Sequence, residues 1–203
     1  MPSPLAIDDE DRALLADVHR SLSQAETSLQ GRLDYGRGCP RCCYGPFPIN
    51  VLDARRLRQG LTALSAREPE QARAIVQRAR RSAVRLGSTF PGTAGILGAD
   101  DGAVEAFFKH FAAEPCPVLD QASGRCELYE SRPLACRTFG PPVRIGDQDL
   151  PPCERCFTGS LEDERRAIVD IDPEQREDAI LDRLEADGAH GETVIAFALA
   201  DAP

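Results

Sequence analysis

The chain has no tryptophan, and aromatic residues make up only 5% of its 203 positions. Its core must therefore come mainly from Leu, Ala, Val and Ile, within an apolar fraction of 42% that is enough for a real core. Long apolar runs are missing. The longest, Val194 to Ala200, is far too short to span a membrane. The N-terminus, MPSPLAIDDEDR, has neither the basic start nor the apolar centre of a secretory signal. An excess of positive charge is missing too. The net charge of −9 disfavours nucleic acid or an anionic membrane as a partner of the whole chain. There is no GK[ST] phosphate loop; the Gly-rich stretch 87–100 follows no strand and reads as a connector.

These absences predict a cytoplasmic protein of one domain over residues 1–203, with a cysteine-rich core at 34–157. A helical segment at 8–30 precedes the core, and an extension at 158–203 follows it. Arginine gathers in two runs: Arg55, Arg56, Arg58, and then Arg73, Arg78, Arg80, Arg81, Arg85. Such runs read as solvated helix faces.

Helical periodicity dominates the pattern. Asp8 to Gln30 carries Leu14, Leu15, Val18, Leu22, Ala25 and Leu29 on one face, with Asp8 to Asp11 placed for a helix N-terminus. A second helix begins at an Asn50 cap and buries Ala54, Leu57, Leu61 and Leu64. Pro69 suits the first turn of a third, with a stripe of Ala72, Ile75, Val76, Ala79, Ala83 and Leu86. A short helix spans Asp101 to Phe111, and another opens at Asp172-Pro173. Val143-Arg144-Ile145 before Gly146-Asp147 marks a small hairpin, and 167–171 a short strand. Periodicity does not decide between helix and strand for GETVIAFALA at the C-terminal end. The fold class is mostly α, with helices packed around an irregular cysteine-rich metal-binding centre.

Eight cysteines occupy positions 39, 42, 43, 116, 126, 136, 153 and 156. In a reducing compartment they point to metal ligation rather than disulfides. Cys39–Cys42 and Cys153–Cys156 have C-x-x-C spacing, which lets a tight turn aim two thiolates at one metal. Neighbouring residues of an extended segment point opposite ways, so adjacent Cys42 and Cys43 are expected to serve different sites, or one of them to pack as a small hydrophobe. One partition groups Cys39, Cys42, Cys153 and Cys156 against Cys43, Cys116, Cys126 and Cys136. A single four-cysteine site is the alternative. No helix starts after Cys42, which argues against a thioredoxin-like redox pair.

Residues 116–140 run CPVLDQASGRCELYESRPLACRTFG. This segment resembles the YkgJ-like cysteine-cluster proteins, whose signature is CP-x-L followed by C-x-x-Y-x-x-RP-x-x-C-R-x-F. Cys116, Pro117, Leu119, Cys126, Tyr129, Arg132, Pro133, Cys136, Arg137 and Phe139 match it. The block CPRCCYGPFPINVLDARRL is similar to the family's N-terminal double-cysteine block, which usually adds a cysteine where this chain has Gly36. The resemblance covers residues 34–157 and implies a chelated zinc or an iron–sulfur cluster. Bound thiolates carry net negative charge, so Arg132 and Arg137 are candidates to donate to sulfur and offset it. Arg132 could instead pair with Glu127 or Glu130. His110 reads as a surface residue, Tyr129 as a packed one, and His19 and His190 as exposed. No residue is assigned a catalytic role, and no small-molecule substrate is indicated; a protein partner is compatible with the helical surface.

Overall fold

The structure is a computed structural model and describes residues 4–29, 32, 39–154 and 157–202. In chain order, the helices and strands begin with α1 (Pro4–Ser28), α2 (Val51–Arg67) and α3 (Pro69–Gly87). A short hairpin, β1 (Gly92–Thr93) and β2 (Ile96–Leu97), leads to α4 (Asp101–His110). Next come β3 (Leu119–Asp120), β4 (Arg125–Cys126), α5 (Leu134–Thr138), β5 (Val143–Ile145) and β6 (Gln148–Leu150). The chain continues through α6 (Leu161–Arg166), β7 (Val169–Ile171), α7 (Arg176–Ala186) and α8 (Ile195–Ala200). Helix dominates, as the periodicity predicts. The chain divides into two compact units, one of residues 1–36 with 134–188 and the other of 37–133 with 189–203.

The first unit packs α1 on a small three-stranded sheet of order β6-β5-β7. Leu14, Val18 and Leu22 of α1 bury against Leu134, Val143, Val169 and Ile171. The helix begins four residues before the expected Asp8, because a proline at the first helical position loses no hydrogen bond. Asp8 to Asp11 therefore lie beyond its first turn. The hairpin at Gly146-Asp147 forms as expected, with Gly146 in the left-handed region at φ +57°. The expected strand after it pairs with β5 in parallel, Val143 opposite Val169. α6 is a further helix, and its start is set by a reciprocal cap between Ser160 and Asp163.

In the second unit, α2, α3 and α8 share a core of Leu57, Leu61, Ile75, Ala79, Ile195 and Leu199. Asn50 caps α2 as predicted, accepting the Asp53 amide at 2.8 Å, and Pro69 starts α3. The C-terminal segment uses both of its options. Thr193 pairs with Ile49 in an extended bridge, and the chain then coils into α8. The 87–100 connector contains the β1–β2 hairpin, turned by Ala94 and Gly95 with positive φ.

The arginine runs are not simply solvated faces. Arg56 is buried and donates to buried Asp53 at 2.6 Å. Arg58 and Arg80 donate to the carbonyls of Ala198 and Ala200 at the end of α8. Carbonyls at a helix C-terminus have no partner within the helix, and these two guanidiniums supply one. Among the described residues, no helix is long and apolar enough to cross a membrane.

Candidate metal centre

Two chain segments meet in the second unit. Residues 41–43 form a single 3-10 turn, closed by the Cys43 amide on the Pro40 carbonyl at 2.9 Å. The chain then runs extended beside residues 114–116. The Cys116 amide donates to the Cys43 carbonyl and the Gly45 amide to the Glu114 carbonyl, both at 2.8 Å. Gly45 holds φ +84°, and a Cβ there would lie 3.3 Å from the Ala112 carbonyl oxygen. This short ladder sets Cys43 beside Cys116. The β3–β4 hairpin, with Leu119 opposite Cys126, brings in the next cysteine.

Cys42, Cys43, Cys116 and Cys126 consequently feel one another's charge. The turn changes the expected relation of the adjacent pair. Cys42 and Cys43 do not diverge as in an extended strand; their sulfurs share a hydrogen bond. That bond pulls Cys42 toward the thiolate and pushes Cys43 up. Burial is the main influence on the other two. It pushes the Cys116 thiol up to about 12, and it raises Cys126. Backbone donors oppose it: the Val118 amide serves Cys116, and the Leu128 amide serves Cys126. Each amide lies two residues after its cysteine. Donors aimed at sulfur favour the anion.

Arg132 adds positive charge that favours the thiolates of Cys42 and Cys126. Pro133 pushes the residue before it into extended geometry, and Arg132 has φ −61° and ψ 145°. Its guanidinium lies 3.5 Å from the Tyr129 ring centroid, and its Nε donates to the Tyr129 carbonyl at 2.9 Å. Glu127 is engaged elsewhere, accepting from Arg78 and from Gln71. The periodicity of α3 gave no sign of that link. Behind Cys116, a cavity of about 20 Å³ lined by Phe47, Ser82 and Glu114 has room for about one water.

Cys39 precedes Pro40, the cap of the 3-10 turn, and is half-buried. Cys136 and Cys153 belong to the first unit. There Cys136 sits on α5 beside half-buried Arg137. The Cys153 amide donates to the Gly140 carbonyl at 3.0 Å, joining the two cysteine-bearing segments. Cys156 lies outside the described residues, as does Gly36. His19, His110 and His190 are exposed. Phe139, though part of the motif, is 59% exposed.

Soft thiolates suit zinc and iron, so the chemistry of the four gathered donors fits either metal. Among the described residues, however, no three Cys, His, Asp or Glu side chains are drawn together tightly enough to hold an ion. The four thiols are neighbours rather than a finished coordination shell. The CxxCxxCC family, described as "Putative zinc- or iron-chelating domain", matches residues 36–156, more than half of the chain. No curated protein and no solved structure matches it. The matched span runs from Gly36, where the family's name begins with a cysteine, to Cys156, and includes the YkgJ-like motif. The chain belongs to this CxxCxxCC family of zinc- or iron-chelating cysteine-cluster domains.

Proposed function

We propose that this protein carries an iron–sulfur cluster and uses it in a redox, sensing or enzymatic role, with zinc held as a structural module for a protein partner as the alternative. The carrying observation is that Cys116 and Cys126 each receive a backbone amide on sulfur from two residues onward, beside Cys42 and Cys43. Burial alone would keep these thiols protonated. Amide donors at both, and the Arg132 charge at Cys126, oppose burial without overcoming it, and a bound cation would stabilise the anion much further. Cys42, Cys43, Cys116 and Cys126 are the residues that would hold the metal in the second unit. Cys39, Cys136, Cys153 and Cys156 complete the proposed ligand set, as a second site or as further ligands. Arg132 and Arg137 would offset the negative charge of the ligated sulfurs. The bound group would supply either electron transfer or a covalent-like staple between distant segments.

Protein purified without air and analysed for metal tests this reading. Iron with matching labile sulfide and a brown colour is expected. Colourless protein with zinc would support the structural alternative. A full-length chain holding neither metal would overturn both readings.

A further inference from the structure

The metal-binding reading draws attention to a side chain that no motif includes. Arg78 lies on α3 and faces the β3–β4 hairpin. Its Nε donates to the Pro117 carbonyl at 2.8 Å, and a terminal nitrogen pairs with one carboxylate oxygen of Glu127. Gln71, two helical turns earlier on the same face, donates to the other oxygen at 2.8 Å. Pro117 directly follows Cys116, and Glu127 directly follows Cys126. One guanidinium therefore ties the residues that follow two cysteines on opposite arms of the hairpin. The Glu127 amide on the Val118 carbonyl, at 2.9 Å, closes the same end. The side chains are sheltered: Arg78 is 27% exposed and Glu127 11%.

We propose that Arg78 is a positioning residue of the metal centre, whose planar fork holds Cys116 and Cys126 at one fixed spacing for a bound ion. The inference rests on these cysteines being ligands. A plain ion pair between α3 and the hairpin would look similar in a static structure, but it would behave differently. It would change the stability of the metal-free chain and leave metal affinity and ligand geometry alone. A positioning residue changes both of the latter. An ammonium at the same place would restore charge but could not span two acceptors in fixed geometry.

The test uses the full chain with zinc in competition with a chelator, and with cobalt(II) as a spectroscopic probe of thiolate ligation. Arg78→Met keeps most of the apolar stem and removes charge and donors. It should weaken zinc binding roughly 10- to 100-fold, the usual effect of losing a partner that orients ligands, and alter the cobalt–thiolate charge-transfer band. Arg78→Lys should recover only part of the affinity. Glu127→Gln, which keeps an acceptor oxygen and the Pro117 bond, should fall between wild type and Arg78→Met. Wild-type affinity and an unchanged cobalt spectrum in Arg78→Met would overturn the proposal. Complete recovery by Arg78→Lys would do the same, because charge alone would then suffice. If Arg78→Met does not fold, Arg78→Lys and Glu127→Gln decide, and wild-type zinc affinity in both counts against it. Failure of the metal reading shows earlier and separately, as a wild-type chain that binds no metal.

Discussion

Gly60 offers a sensitive way to disturb the centre from outside it. It lies inside α2, where alanine would ordinarily be the better helix former by about 0.5–1 kcal/mol. The structure reverses that expectation. A Cβ on Gly60 would meet the Ser131 Oγ at 2.2 Å and its Cβ at 2.4 Å, with Leu128 Cδ2 at 3.8 Å. Rotating the Ser131 hydroxyl relieves the first contact only. The Ser131 Cβ is fixed by the backbone and would have to retreat about 1 Å to reach the 3.4 Å of ordinary contact. Overpacking of this kind costs about 1–3 kcal/mol. Set against the helix gain, Gly60→Ala should destabilise the chain by about 1–2 kcal/mol, lowering Tm by about 2–8 °C. The 3-10 turn at Tyr129–Ser131 is what must yield, and it carries the ring and carbonyl that hold Arg132. Metal affinity should therefore fall as well. Thermal unfolding and chelator competition on Gly60→Ala, Ser131→Gly and the double variant form a cycle. In the Ser131→Gly background the clash is absent, and Gly60→Ala should become neutral or stabilising. An equal effect of Gly60→Ala in both backgrounds, or a raised Tm in the single variant, would refute the packing argument.

Two further predictions concern the thiols. Cys42→Ser, Cys116→Ser and Cys126→Ser should each sharply reduce the metal retained through purification, whereas His110→Ala at an exposed site should match wild type; the opposite ranking would show that the gathered thiols are not ligands. The metal-free chain should lose stability as pH rises above about 9, because unfolded thiols ionise near the ordinary cysteine value of about 8.5. The folded state keeps Cys116 protonated up to about 12 and raises Cys126. The unfolded state thus binds fewer protons in that window, and alkali favours it. Urea midpoints measured from about pH 9 upward, with ionic strength fixed, should fall; a flat profile there would count against burial of these thiols.

Signals that act locally were readable from sequence. Asn50, Pro69 and the Gly146-Asp147 turn each act within a few residues, and each appears as expected. Ser160 and Asp163 have cap spacing too, so α6 could have been found from the same rule. The motif around Cys116, Cys126 and Cys136 was legible because its spacing is fixed along the chain. What escaped depends on partners remote in sequence or on backbone state. Nothing in the arginine run of α3 distinguishes Arg78, whose acceptor is 39 residues away, from Arg73. The expected divergence of Cys42 and Cys43 assumed an extended backbone. A 3-10 turn replaces it, and in that turn adjacent sulfurs can bond. Spacing along the chain likewise gives no sign that Cys42 lies near Cys116 and Cys126.

The choice of cation connects these observations. Of the 24 basic residues only Lys109 is a lysine. An ammonium is a strongly hydrated point charge, while a guanidinium can lie flat on a ring and bond two acceptors in a fixed plane. The second unit uses those properties repeatedly. Arg132 stacks on Tyr129 and bonds its carbonyl; Arg78 bonds the Pro117 carbonyl and the Glu127 carboxylate; Arg85 meets both carboxylate oxygens of Glu114. The anchors of the first two are not scattered. Tyr129 follows Cys126 by three residues, and Pro117 follows Cys116 by one. The positive charge that a cluster of thiolates requires is thus fastened to the loops that carry the sulfurs. A shift of either loop moves its arginine's anchor along with it, so charge and sulfur stay in register. Lysines at these places could balance the sum of charges, but they could not fix where that balance acts.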